Sequence, residues 1–347
     1  VAQVATVNER LQEQGISHSV YLERYKTRVL KDIIELMEKV DKNLVDRISS
    51  RAGEETFTKA RLERLLQDIR QINAEAVAEL KIGLREKVEK FGEYEAGFQA
   101  KRIQQAIPVR WNITQPAPDQ IFAAVMARPF EGKLFKQHIQ RYEQRRLELI
   151  QGALRQGWAE GDSIDQIVRR VRGRRSQNYA DGIIESTRKE AAALVRTAIN
   201  NTASVAREEL YRGNNDLVKG VQYVATLDNR TTLICANLDG NVYKIGEGPR
   251  PPQHWGCRST TVPVVRSWRE LGIDLDEAPE GTRASMNGQV AEKTTYGGWL
   301  KKQPASVQKD VLGKKRYQMF KEGESIDRFV QDGRVLTLEE LKRKEAA

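Results

Sequence analysis

The chain has 347 residues, 39% of them apolar and 31% charged, with only 10 Pro and 25 Gly, a balance that excludes collagen-like, low-complexity and wholly disordered classes and suits two or three domains. The net charge of +10 is unevenly placed: residues 1–100 hold 17 basic and 18 acidic side chains, residues 101–220 hold 21 and 13, and residues 221–347 hold 20 and 17. A basic middle meets either phosphate or an acidic protein surface, and charge alone does not choose between them. No apolar run nears the roughly 20 residues that span a bilayer. Val1–Arg10 lacks the basic patch and apolar stretch of a secretory signal, so the expectation is a soluble protein made in the cytoplasm.

Leu22, Tyr25, Val29, Ile33, Leu36, Val40, Leu44 and Ile48 recur at spacings of three and four, the stripe of an amphipathic helix. After a break at Ser49–Gly53 a second stripe runs through Leu62, Leu65, Ile69, Ile72, Ala76, Leu80, Leu84 and Val88. The pattern predicts two antiparallel helices of about 40–45 Å, from a rise near 1.5 Å per residue. Neither stripe keeps a strict heptad, which favours a packed hairpin over a free coiled coil. Pro108, Pro116 and Pro118 then stop helix formation.

Asp119 is a candidate N-cap for the next helix, and helical patterning resumes from Phe135 to Trp158. Ser163 and Gly173 bracket a short helix, and Glu185–Tyr211 reads as one long alanine-rich helix. Trp111, Phe122, Phe130 and Phe135 are candidate core or interface aromatics. From Gly220 the period changes: residues 220–226 alternate as a strand, Asn241-Val242-Tyr243 after Asp239-Gly240 suggests the return of a hairpin, and Ser259–Val265 is a further strand. Beyond 270 the chain is polar and broken, with helices expected near Ala305–Leu312 and Leu338–Lys344. The fold class is therefore α+β and predominantly α-helical: a long N-terminal helical hairpin, a central helical segment, a small β-containing knuckle at 220–265, and an irregular C-terminal tail.

Both cysteines and one of only three histidines fall between positions 235 and 257. Two cysteines cannot make a disulfide framework. Cys235, His254 and Cys257 are donors suited to Zn²⁺, and His-x-x-Cys is a workable chelating spacing. Three ligands are one short of a closed structural site, Asp228 being the nearest candidate for the fourth, while a water in that position would resemble a catalytic site. The plain alternative is a buried, reduced cysteine pair with a histidine bonded to backbone. Asp228 and Arg230 could also pair across a turn.

These residues carry a resemblance. Thr226-Leu-Asp228-Asn-Arg230-Thr231, Cys235-Ala-Asn-Leu-Asp239-Gly240 and Pro251-Pro252-Gln-His254-Trp-Gly-Cys257-Arg258 resemble three successive motifs of the phage Mu F-like minor head proteins, also called phage head morphogenesis proteins. The upstream helix is similar too, through Arg188-Lys189 and Arg196-Thr197-Ala-Ile-Asn200, as is the run from Gly157 to Ile164; the likeness covers roughly residues 120–265. Tyr296-Gly-Gly-Trp299, Val311-Leu-Gly313 and Leu336–Leu341 look like the C-terminal segment of many such proteins. Members often carry two further cysteines where this chain has Thr232 and Ser259, so a four-cysteine metal site is excluded.

The resemblance implies a structural, non-enzymatic protein of the virion, found at the portal vertex of the capsid and in the host cytoplasm during assembly. It implies the portal protein, the major capsid or scaffolding protein and other copies of the chain as partners, with a role in head assembly and genome packaging or ejection. It divides the chain into a helical docking domain at 1–106, a head-morphogenesis domain at 119–268 and an extended segment at 269–347. Thr226, Asp228, Arg230, Thr231, Asp239, Gly240, Pro252 and Arg258 are then structural motif positions. Arg169, Arg170, Arg172, Arg174 and Arg175, five arginines in seven residues, are candidates for contact with packaged double-stranded DNA or an acidic surface. The competing reading is a zinc-dependent hydrolase or nuclease built on Asp228, Cys235, His254 and Cys257. Against it, the sequence offers no carboxylate cluster, phosphate-binding glycine loop or Ser-His-Asp set.

Overall fold

The computed structural model describes residues 7–50, 58–274 and 282–346. The break expected at Ser49–Gly53 lies largely outside the described residues. Ten helices and seven strands are present among those described: α1 (Val7–Ser49), α2 (Lys59–Ala106), α3 (Pro118–Ala127), α4 (Phe135–Glu160), α5 (Ile164–Arg172), α6 (Ile183–Gly213), β1 (Val218–Val224), α7 (Leu233–Leu238), β2 (Val242–Tyr243), β3 (Thr260–Val265), β4 (Thr282–Ser285), β5 (Gly288–Ala291), α8 (Tyr296–Lys301), α9 (Ala305–Lys321), β6 (Val330–Gln331), β7 (Arg334–Val335) and α10 (Leu338–Ala346). The fold is α+β and mainly helical. It divides into two compact units that are interleaved along the chain, one of residues 1–23, 92–124 and 200–347, the other of residues 24–91 and 125–199.

The second of these units is all helical. Its apolar cluster joins Leu44, Ile48, Leu65 and Ile69 of the two stripes to Ile150, Leu154, Ile167 and Val171 from α4 and α5. α1 and α2 run antiparallel here, Asp32 meeting Lys87 and Arg47 meeting Asp68. A buried polar knot lies among the helices. Arg146 donates to Asn73 at 2.7 Å and to Asp41 at 2.5 Å, and Arg188 reaches the other Asp41 oxygen at 2.7 Å.

Local signals set the helix ends. Ser163 and Gln166 form a reciprocal capping box at α5, and Gly173 follows its last turn at φ +94°. Asp119 does not cap α3; Pro118 takes the first helical position, where its missing N–H costs nothing, and Asp119 falls inside the first turn.

α1 and α2 contain 43 and 48 residues, so at about 1.5 Å per residue they reach roughly 65 and 72 Å, well beyond the apolar stripes. Their additional turns belong to the other unit, where Leu11, Ala100 and Ile103 join an apolar cluster with Leu210 and Val221 beside a buried polar network. His18 meets Glu95 at 2.6 Å, Glu95 accepts from Arg207 of α6 at 2.6 Å, and Arg102 donates to Gln99 and to the Leu11 carbonyl. These buried polar residues interrupt the apolar periodicity there.

The same unit contains a three-stranded antiparallel sheet in the order β2-β1-β3, with Val221 opposite Tyr243 on one side and Pro263 on the other. β1 and β2 are antiparallel neighbours as expected, but the link between them carries α7 instead of forming a tight hairpin. The outer edge of β3 is closed by α1, where Asn8 accepts from the Val265 backbone N–H at 2.9 Å and Gly15 lies against Val262. The C-terminal elements are short, yet they pack around their own cluster, which includes Leu227, Tyr296, Trp299, Leu312, Phe329 and Leu341. α9 is broken at Gly313, whose φ of 71° and ψ of 165° are non-helical, so its first half ends at Leu312.

Candidate functional site

The segment from β1 to β3 wraps three polar boxes around a small apolar centre. The first box follows β1. The Asp228 carboxylate accepts the Arg230 and Thr231 backbone N–H groups at 3.0 and 3.1 Å, the turn-closing pattern for which aspartate is suited. It also accepts two bonds from Arg258, at 2.5 and 2.8 Å. Thr231 Oγ1 donates to the Thr226 carbonyl at 2.6 Å, and Thr226 Oγ1 to the Arg258 carbonyl at 3.4 Å. Burial would raise the Asp228 pKa, but Arg258 and the turn N–H groups outweigh it and hold the carboxyl below its usual range. Arg230 is the outlier, with its side chain 75% exposed and its guanidinium 3.9 Å from Asp228.

The second box is centred on Asp239, which follows α7. Its side chain has no exposure, and it accepts from Ala225 N at 2.7 Å, Tyr296 N at 2.7 Å and both terminal nitrogens of Arg283 at 3.0 and 3.1 Å. Gly240 comes next at φ +84°, which turns the chain back into β2. The Asp-Gly step thus ties β1, β4 and α8 to one carboxylate.

The third box contains the sulfur atoms. Thr232 Oγ1 caps α7 by accepting from Cys235 N, which sets Cys235 on its first turn. The loop ahead of Cys257 is pinned by Arg250, whose Nε donates to Glu208 of α6 at 2.8 Å, and its Pro251–Pro252 peptide is cis. Asn200 of α6 donates to the Cys257 carbonyl at 3.0 Å. Cys235 Sγ then lies 3.7 Å from Cys257 Sγ, 3.3 Å from His254 Nε2 and 3.2 Å from the Tyr223 hydroxyl. Both cysteines are buried and unbridged. In this pair the hydrogen bond from Cys235 favours a Cys257 thiolate and holds its pKa down, while that bond and burial push Cys235 up.

The donor set could hold a metal ion. All three ligand atoms lie within 4.8 Å of one another. Tetrahedral zinc with bonds of about 2.3 Å to sulfur and 2.05 Å to nitrogen places two sulfurs about 3.8 Å apart and a sulfur and a nitrogen about 3.6 Å apart. The spacings here are 3.7 and 3.3 Å. His254 Nδ1 donates to the Trp255 carbonyl at 3.0 Å, a bond that fixes the tautomer and leaves the Nε2 lone pair toward the sulfurs. Asp228 is not part of this group, since its carboxylate belongs to the first box.

The arginine segment lies in the helical unit. Arg170 pairs with Asp162 and Glu160, and Arg174 with Asp181. The Arg172 guanidinium lies 5.5 Å from the centre of the Tyr179 ring. Arg169 and Arg175 are exposed and have no ion pair among the described residues.

Tyr223, Asn200, Arg283 and the Glu208–Arg250 pair complete these boxes, and sequence reasoning missed them as site residues. Asn200 carried a signal through the Arg196-Thr197-Ala-Ile-Asn200 step, as did Tyr296, which donates its N–H to Asp239, through the Tyr-Gly-Gly-Trp run. The fold and the three boxes define a mainly helical α+β protein whose polar motifs hold loops in place. Residues 148–262 of the 347 match the family described as Phage Mu protein F like protein, and over that region the chain is similar to it. No curated protein and no solved structure matches the chain.

Proposed function

We propose that the chain is a structural minor component of a tailed-phage head, located at the portal vertex, and that it acts in head assembly with a part in genome packaging or ejection. One observation carries this reading: inside the family match, the two motif carboxylates, Asp228 and Asp239, are bound to arginines and backbone N–H groups that hold loops. Neither stands beside the sulfur and histidine donors as a general base would.

A zinc ion held by Cys235, His254 and Cys257, with a water as fourth ligand, is part of the proposal. It would cross-link α7 to the loop before β3. The partners are the portal protein, the major capsid or scaffolding protein and other copies of the chain. Arg169 and Arg175 are the side chains free to meet packaged double-stranded DNA. Co-expression with the phage's portal protein tests the reading: the two should co-purify as a complex through size exclusion. Separate elution at physiological salt would overturn the assignment to the portal vertex.

A further inference from the structure

In the unit that carries the sheet, the last turns of α2 and the proline-rich segment after it border a shallow, open cleft of about 800 Å³. Its floor is Gly97 and Ala100, and one wall is Trp111 with Ile113. The indole is held rigidly. Its Nε1 donates to Asp216 at 3.1 Å, and its backbone N–H donates to the Gln104 side chain at 3.0 Å.

Three features of this cleft have no explanation inside the chain. Glycine within a helix costs about 1 kcal/mol relative to alanine, yet a Cβ on Gly97 would meet nothing closer than Gln115 Oε1 at 3.7 Å. Internal packing therefore does not require the glycine. The rim also carries Lys101 and Arg110 with no acidic residue in the lining, and neither cation has an ion pair among the described residues. Asn112 and Gln115, also on the rim, have side-chain amides without hydrogen-bond partners among the described residues.

The geometry points to this cleft as a docking groove for an acidic peptide segment of a partner protein. Carboxylates would meet Lys101 and Arg110, the free amides would meet peptide groups, and an apolar side chain would lie over Gly97 against the fixed Trp111 ring. A glycine floor flanked by the Gln115 amide, with one aromatic wall and two cations, suits a peptide better than a duplex, which takes a broad lattice of cations. The inference goes beyond the head-assembly reading and does not depend on it.

The test presents the full-length protein to an array of twelve-residue peptides in three matched sets. One set places four Asp or Glu around a Leu-Phe pair, the second replaces the acids by Asn and Gln, and the third by Lys. The acidic set should be retained selectively. In solution, a labelled peptide from that set should lose at least tenfold in affinity to Lys101→Glu/Arg110→Glu, and as much to Gly97→Leu, with both variants melting like the parent. Equal retention of all sets, no retention of any, or unchanged affinity in both variants would overturn the proposal. So would displacement of the peptide by a nonspecific DNA duplex at lower concentration than by unlabelled peptide. Failure of the head-assembly reading would show instead in particle composition, which this assay does not touch.

Discussion

At the residue scale, the motif positions differ sharply in what they hold. Asp239 neutralises Arg283 in a site closed to water, and removing one partner of such a pair commonly costs about 3–5 kcal/mol. Asp239→Ala should therefore lower unfolding free energy by about that amount in urea titrations, whereas Arg230→Ala, at an exposed side chain, should stay within about 0.5 kcal/mol. Equal effects would contradict the division between held and free motif residues. For the sulfur cluster, the purified protein should contain close to one equivalent of zinc by elemental analysis. A chelator should lower its melting temperature, and Cys235→Ser should remove both the metal and that response. Metal-free protein whose melting ignores added zinc would contradict the site. The sulfur and histidine donors were legible because these residue types are scarce and close in sequence. Their union with Tyr223 and Asn200 was not, because those contacts arise only when β1 and α6 pack around the loop.

At the element scale, apolar periodicity revealed α1 and α2 only where the stripe is unbroken by buried polar residues. In the remaining turns Leu11 and Ile103 are buried too, but His18, Glu95, Gln99 and Arg102 are buried with Arg207 of α6 and interrupt the apolar stripe. α7 was missed for another reason: six residues are too few to show a period, and the Thr232 cap is their only local signal. The polar core has a pH signature. Burial would raise the Glu95 pKa, but Arg207 and His18 outweigh it and hold it at about 2 against an ordinary 4.5. A carboxyl lowered on folding contributes stability that is complete above its unfolded pKa and lost as pH falls toward its folded one. Acidification from about 4.5 to 2 should therefore remove on the order of 3 kcal/mol. Glu95→Gln should be less stable at neutral pH and flatter across this window. Parallel pH profiles for variant and parent would contradict this role for Glu95.

At the scale of the whole molecule, the two compact units draw on interleaved stretches of chain, and α1, α2 and α6 each give residues to both. A reading along the sequence finds composition shifts at proline-rich breaks, but cannot find a unit assembled from three distant segments. The β-rich region was legible through its motifs, and its contacts now give those motifs a physical purpose: Asp228 closes a turn, Asp239 gathers three elements, and Arg258 binds the loop before β3 back to the start of the knuckle. The C-terminal elements were less legible because each is short. They become stable by sharing the cluster around Trp299 and Phe329. Under the proposed function, a protein organised in this way acts in the phage head through its surfaces. Quantitative mass spectrometry of density-purified phage particles tests that claim most directly. The account predicts the chain in the head at a low, fixed copy number close to that of the portal; absence from both procapsids and mature particles would contradict it.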